Sequence, residues 1–215
     1  EIMRVKKLVD MIAAWFKENT PDVMVAVDSP AANFPVCKVA RQYNCNVVHL
    51  AAPQMWAWAP WRINKLRRLT DHVMCLLPFE PEWFESRGVK ATFIGHPAMH
   101  EHECGEIDVP RGEPRILLLP GSRASEIAAN LPMQLEVFKR IQQEFPDASA
   151  LIACRDEDVS RVQPYAGTLQ IIGNQLPATL EWADLALTVS GTVSLHVMRH
   201  STPMIGMYKV NPLSM

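Results

Sequence analysis

Short apolar runs alternate with stretches of helical periodicity along the whole chain, the signature of parallel βαβ units. Ile2, Val5, Val9, Ile12 and Phe16 recur at helical spacing, and Thr20-Pro21-Asp22 ends that helix. Val23 to Val27 is a Val-rich run short enough for a strand buried on both faces. Pro35 suits the first turn of the next helix, which the pattern carries to about Tyr43. Strands follow over residues 47–50, 73–77 and 92–94, with a basic helix over 61–70 and a second helix over 82–87 between them.

Residues 97–114 break the rhythm: they lack periodicity and are rich in proline, glycine and acids, which reads as a linker. The alternation then resumes. Strands are expected at 115–119, 150–153, 169–172, 185–189 and 204–206, and helices at 125–144, near Val159, and over 178–182 and 193–200. The fold class is therefore α/β, with two Rossmann-like, doubly wound parallel-sheet domains, residues 1–96 and 115–215, facing a cleft. Both domains are read as incomplete, because the chain looks cut from a longer protein at each end.

Composition adds little to this picture. The 215 residues are 48% apolar and 20% charged, ordinary for a soluble globular protein, and no apolar run approaches the ~18 residues that span a bilayer. A net charge of −2 gives no case for nucleic acid. The charge is split, however: up to His96 there are 12 Lys/Arg against 9 Asp/Glu, and from Pro97 on there are 9 against 14. A mildly basic half beside an acidic half suggests two domains with different partners. The five scattered cysteines read as buried, reduced thiols of a cytosolic protein. His96, His100, His102 and Cys104 lie close together, yet no second ligand pair follows at a zinc spacing, so no metal is expected.

Two loops of the second half carry chemistry. Leu119-Pro120-Gly121-Ser122-Arg123 leaves a strand and enters a helix, as does Thr188-Val189-Ser190-Gly191-Thr192. Ligands of parallel α/β sheets sit beyond the carboxyl ends of the strands, where free N–H groups and the helix dipole favour an anion. Arg123 adds a charge-assisted contact. The bland alternative is that Gly and Ser merely cap these helices. Two such loops, one with an arginine, favour a nucleotide diphosphate. Neither a G-x-G-x-x-G fingerprint nor a Walker lysine is present, against a dinucleotide dehydrogenase and an NTPase. Asp156-Glu157-Asp158 reads as a first-turn acidic cluster complementing a helix dipole.

In the first half, Asp28 stands at a strand's carboxyl end, placed to act as a general base, to anchor a sugar hydroxyl, or simply to form a turn. Trp56, Trp58 and Trp61 lead into Arg62, Lys65, Arg67 and Arg68. That loop and basic helix suit a membrane interface or an amphiphilic, phosphate-bearing substrate; the alternative is that the rings pack the loop onto its domain.

In order along the chain, several stretches together resemble the lipid-A-disaccharide synthase family of inverting GT-B glycosyltransferases. They are Pro21-Asp22-Val23 with Asp28-Ser29-Pro30, Pro53-Gln54-Met55-Trp56-Ala57-Trp58, Leu77-Pro78-Phe79-Glu80 and Phe93-Ile94-Gly95-His96-Pro97. Leu118-Leu119-Pro120-Gly121-Ser122-Arg123, Ser190-Gly191-Thr192, and Pro203-Met204 through Tyr208 to Pro212 complete the set. The resemblance implies transfer of a sugar from UDP-2,3-diacylglucosamine to 2,3-diacylglucosamine 1-phosphate, forming a β-1,6 disaccharide and releasing UDP. It further implies no cofactor and no metal on the diphosphate. Catalytic roles fall to Asp28 and Arg123, and UDP-sugar contacts to Gly121, Ser122, Arg123, Ser190, Gly191, Thr192 and His196. Membrane or acceptor contacts fall to Trp56, Trp58, Trp61, Arg62, Lys65 and Arg68. The expected place is the cytoplasm, peripheral on the inner face of the membrane; nucleic acid is not a partner, and a homodimer is allowed.

Two positions depart from the family pattern. Where it reads Asp-x-Pro-Asp-x-Asn, this chain has Asp28-Ser29-Pro30-Ala31-Ala32-Asn33, without the second carboxylate. Where a glutamate commonly follows the Ser-Gly-Thr loop, toward the ribose hydroxyls, this chain has His196. The Trp-rich loop and Gly-Ser-Arg argue against another GT-B transferase or a UDP-sugar epimerase. Ala31 keeps open a nucleotide-sugar-binding protein without transferase activity or with altered specificity.

Overall fold

The computed structural model describes residues 2–100 and 105–209. They form two compact units, Glu1–His96 and Pro97–Met215.

In the first unit the elements run α1 (Ile2–Glu18), β1 (Val23–Val27), α2 (Pro30–Gln42), β2 (Asn46–Leu50), α3 (Met55–Trp58), α4 (Ile63–Leu69), β3 (His72–Cys75), α5 (Glu80–Glu85) and β4 (Ala91–Phe93). The four strands make a parallel sheet in chain order, β1-β2-β3-β4. Two apolar clusters hold it. Phe16, Ala26, Cys37, Ala40 and Val47 lock α1 and α2 against β1 and β2. Phe34, Met55, Leu66, Val73, Cys75 and Phe84 seat α3, α4 and α5. Fully burying one such side chain contributes about 1.5–3 kcal/mol.

The second helix starts earlier than its sequence pattern implies. It opens at Pro30, and Pro35 lies inside it. Proline is pre-organised for a helix's first position, so Pro30 is the stronger start signal. The bond Pro35 cannot donate is the one to residue 31, an exposed alanine whose carbonyl can turn to water.

The second unit runs β5 (Arg115–Leu119), α6 (Ala124–Glu144), β6 (Ser149–Cys154), α7 (Val159–Ala166), β7 (Gln170–Gly173), α8 (Leu176–Trp182), β8 (Leu185–Thr188), α9 (Thr192–Arg199) and β9 (Met204–Gly206). Its parallel sheet has the order β7-β6-β5-β8-β9. Alternation along β5 explains the two helix layers. Ile116 and Leu118 face Ile127, Leu131 and Phe138 of α6. Leu117 and Leu119 face Leu180, Trp182 and Val197 of α8 and α9. The chain leaves β5 toward β6 and later returns on its other side with β8. That reversal is a topological switch point, the place where such sheets open a crevice. Beneath it, the buried Gln134 of α6 donates from Nε2 to Leu119 O at 3.2 Å and to Leu187 O at 3.1 Å, stitching β5 to β8.

The stretch expected to be a linker belongs by its contacts to the second unit. Gly105 N donates to Gln175 Oε1, Gln170 Nε2 to the Asp108 carbonyl, and Ser149 Oγ to that of Gly112. Polar backbone without regular structure is satisfied here by side chains of the sheet's flanks. Among the described residues no helix is long and apolar enough to cross a membrane.

Candidate functional site

A cavity of about 550 Å³ lies at the carboxyl ends of the second unit's central strands. Gly121, Ser122, Arg123, Ser190, Gly191, Thr192 and His196 all line it, so the two loops singled out in the sequence meet in one place. They follow β5 and β8, the two strands flanking the switch point. Val189, Leu176 and Pro177 add apolar walls.

The first loop is shaped around an internal anion. Gly121 holds φ +107°, and a Cβ there would come within 2.7 Å of Glu126 Oε2 and 2.9 Å of Glu126 Cβ, so only glycine lets the loop close on that side chain. Glu126, at the third position of α6, accepts from Ser122 N at 3.2 Å and from Arg123 N at 3.3 Å. Its other oxygen accepts from Arg123 Nη1 at 2.5 Å. Burial opposes the charge on Glu126, but the Arg123 guanidinium and these two N–H groups outweigh it and hold the carboxyl below the ordinary glutamate range. The N–H groups read as free in the sequence are therefore already engaged by a carboxylate. The physical reason is capping: Glu126 sits where helices recruit an acid to their first turn. The loop's N–H groups thus hold an anion of the protein's own, the Glu126 carboxylate.

Sequence reasoning missed Arg155, which follows β6 and also lines the cavity. Its Nε donates to Asp158 Oδ2 at 2.9 Å, and Nη2 reaches the Ser122 carbonyl at 3.2 Å. Asp158 is fully buried and pairs with both Arg155 and Arg161. The triplet Asp156-Glu157-Asp158 thus does more than complement a dipole. It forms a 3-10 turn in which Asp158 anchors two guanidinium groups and Asp156 accepts from Asn174 Nδ2 at 2.6 Å. The Arg155/Asp158 spacing of three was the available signal. Cys154, on the same wall, is pushed up to about 11 by burial and by Asp158, so it stays a thiol.

The second loop gives α9 its start. Space in front of Gly191 is open, and Ser194 Oγ turns back to the Gly191 carbonyl at 2.6 Å. His196, one turn further along α9, is half-buried in the cavity wall.

The remaining sequence candidates belong to the first unit. Asp28 is exposed at the end of β1 with φ +48°, and Ser29 follows at φ +23°, both in a region that side chains seldom occupy. Asn33 clamps this strained turn, donating to the Val27 carbonyl at 2.8 Å and the Asp28 carbonyl at 2.7 Å. Position 31 presents only an exposed methyl.

The three tryptophans separate. They do not lie in a loop: residues 55–58 form one helical turn and residues 60–62 a 3-10 turn. Trp56 faces inward, donating from Nε1 to Glu80 Oε1 at 3.0 Å and stacking edge-on against Phe79. Its indole is a structural anchor. Glu80, 2% exposed, also accepts from Leu76 N and Leu77 N, a buried hub with no local sequence signal. Trp58 and Trp61 are 58% and 71% exposed. Arg62 lies over the Trp58 ring and Lys65 over that of Phe34, while Arg68 points to solvent.

Of the histidine–cysteine stretch, His102 and Cys104 lie outside the described residues. Among the described residues no group of three or more His, Cys, Asp or Glu could hold a metal ion.

A model of the lipid-A-disaccharide synthetase family matches residues 1–215. The lipid-A-disaccharide synthase of Coxiella burnetii is 29% identical over 228 residues, covering 100% of this chain and 61% of that relative. The synthase of Ruegeria pomeroyi is 33% identical over 217 residues, covering 90% of this chain and 54% of the relative. The chain thus spans between half and two thirds of these relatives. Among solved structures, the S. aureus MnaA–UDP co-structure superposes with a TM-score of 0.67 at 14% identity, over 97% of this chain and 64% of that one. At that identity the likeness is one of fold, the parallel-sheet α/β architecture of GT-B proteins. With a family match across its whole length, the chain belongs to the lipid-A-disaccharide synthetase family.

Proposed function

We propose that the protein containing this chain transfers the sugar of UDP-2,3-diacylglucosamine to 2,3-diacylglucosamine 1-phosphate, forming a β-1,6 disaccharide and releasing UDP. The observation that carries this reading is the meeting of Gly121-Ser122-Arg123 and Ser190-Gly191-Thr192 in one cavity at the switch point. A carboxylate already seated on the first loop supports anion recognition there. On donor binding, phosphate oxygens take over the N–H groups of Ser122 and Arg123 that Glu126 now occupies. Arg123 and the start of α9 then stabilise the charge that develops on departing UDP, without a metal or cofactor. His196, in the cavity wall, is assigned to the ribose end, where its imidazole hydrogen-bonds a hydroxyl. Inversion requires a base at the acceptor hydroxyl. Asp28 is the group assigned, and its clamped, strained backbone supports that role, since such strain concentrates at functional sites. The exposed rings of Trp58 and Trp61, together with the exposed Arg68, support docking on an anionic membrane face, where acylated substrates would reside.

The missing carboxylate at Ala31 favours one second reading, a nucleotide-sugar-binding protein without transfer. Release of UDP from UDP-2,3-diacylglucosamine by the full-length protein, in detergent micelles with and without acceptor, separates the two. Acceptor-dependent release is expected. Intact UDP binding with no turnover would leave only the second reading.

A further inference from the structure

Among the described residues that line the cavity, Arg155 is the cation that the proposed chemistry leaves unused. It is held on three sides: by the buried carboxylate of Asp158, by Glu157 beside it, and by the Ser122 carbonyl, 33 residues away in sequence. With two carboxylates on its fork, its charge is largely spent, which makes it a poor phosphate ligand. The bond to Ser122 has a geometric consequence. In a planar trans peptide the C=O and the following N–H point in opposite directions. Drawing the Ser122 carbonyl toward Arg155 therefore aims the Arg123 N–H away from it, to the spot where Glu126 Oε2 sits at 3.3 Å. Asp158 can fix the guanidinium this firmly because it is fully buried and balanced on its other side by Arg161.

We infer that Arg155, braced by Asp158, is a positioning residue that holds the Ser122–Arg123 peptide in its anion-accepting orientation and so selects for the phosphate part of the ligand. This rests on the reading that the cavity takes UDP. Without the brace the peptide can turn its carbonyl toward the phosphate, exchanging a donor for an acceptor that repels the ligand. The effect is specific: it acts on phosphate and leaves the nucleoside contacts alone.

The test measures the dissociation constants of UDP, by calorimetry, and of uridine, by saturation-transfer NMR, for the protein and its Arg155→Met and Asp158→Asn variants. Arg155→Met is expected to weaken UDP about tenfold, the loss carried by one orienting hydrogen bond to a charged group, and to leave uridine unchanged. Asp158→Asn keeps the guanidinium but releases it, and is expected to weaken UDP in the same direction. It also serves if Arg155→Met fails to fold. Unchanged UDP binding in Arg155→Met, or equal weakening of UDP and uridine, would overturn the inference. So would tighter UDP binding in Asp158→Asn, which would make Arg155 a direct ligand. If the parent protein binds neither molecule, the UDP reading itself falls and takes the inference with it.

Discussion

The two units use the ends of their parallel strands in opposite ways. In the second, the chemistry is built of backbone: loop N–H groups after β5 and a helix start after β8, oriented by Glu126, Arg155 and Gln134. In the first, it is built of side chains displayed outward: Asp28 on a strained turn, and Trp58 and Trp61 on a short helical edge. A backbone site suits a ligand that is the same in every turnover, such as a diphosphate, because its geometry is set by the fold. A displayed side-chain surface suits an amphiphile, whose chains need area more than directed hydrogen bonds.

That contrast predicts where substitutions should strike. The largest effect is expected in the backbone site. Gly121→Val puts bulk where Glu126 passes within 2.7 Å, at a φ of +107°, and should abolish UDP binding in calorimetry while lowering the melting temperature. Next comes the hub beneath the displayed surface. Glu80→Ala strands three donors, Trp56 Nε1, Leu76 N and Leu77 N, and should cost about 3 kcal/mol or more in urea unfolding, with a shift in tryptophan emission. Arg123→Ala removes a charged donor from the cavity rim and should weaken UDP binding by about 1.5–3 kcal/mol, leaving stability nearly untouched. On the displayed surface, Trp61→Ala should reduce partitioning onto anionic vesicles by about 1–2 kcal/mol and change unfolding by less than ~0.5 kcal/mol. A large stability loss there would mean the ring is packed, erasing the contrast.

The last effect is one of pH. His49 is fully buried on β2, its Nδ1 facing Thr70 Oγ1 at 3.3 Å. Burial lowers its pKa, against the opposing pull of Asp28. A histidine whose folded pKa is depressed adds stability above its unfolded pKa, and that contribution is lost as pH falls through the folded one. Acidification from neutral pH should therefore destabilise the first unit before carboxylates titrate, and His49→Gln should flatten that part of the profile. An unchanged profile in the variant would remove His49 as the cause.

Sequence patterning anticipated the secondary structure well because strands such as Arg115–Leu119 are buried on both faces and so carry continuous apolar runs. Val23–Val27, expected to be buried likewise, instead leaves Val23, Val25 and Val27 49%, 52% and 57% exposed on one face. It also located both cavity loops, since glycine beside a helix start is a local signal. What it missed is partnering at a distance. Glu126 engages the loop from one turn into α6, Arg155 bridges 33 residues to Ser122, and Glu80 takes the indole of Trp56 across 24. Burial likewise split the tryptophans, because which face of a one-turn helix points inward depends on Glu80 and Phe79, remote in the pattern. The early start of α2 was a choice between two prolines, where position, not residue type, decided.

The second unit's cavity is proposed to bind UDP without a metal. Calorimetric titration of the protein with UDP, run with and without excess EDTA, tests this most directly. One saturable site with the same dissociation constant in both runs is predicted. No saturable binding, or binding that EDTA abolishes, would contradict it.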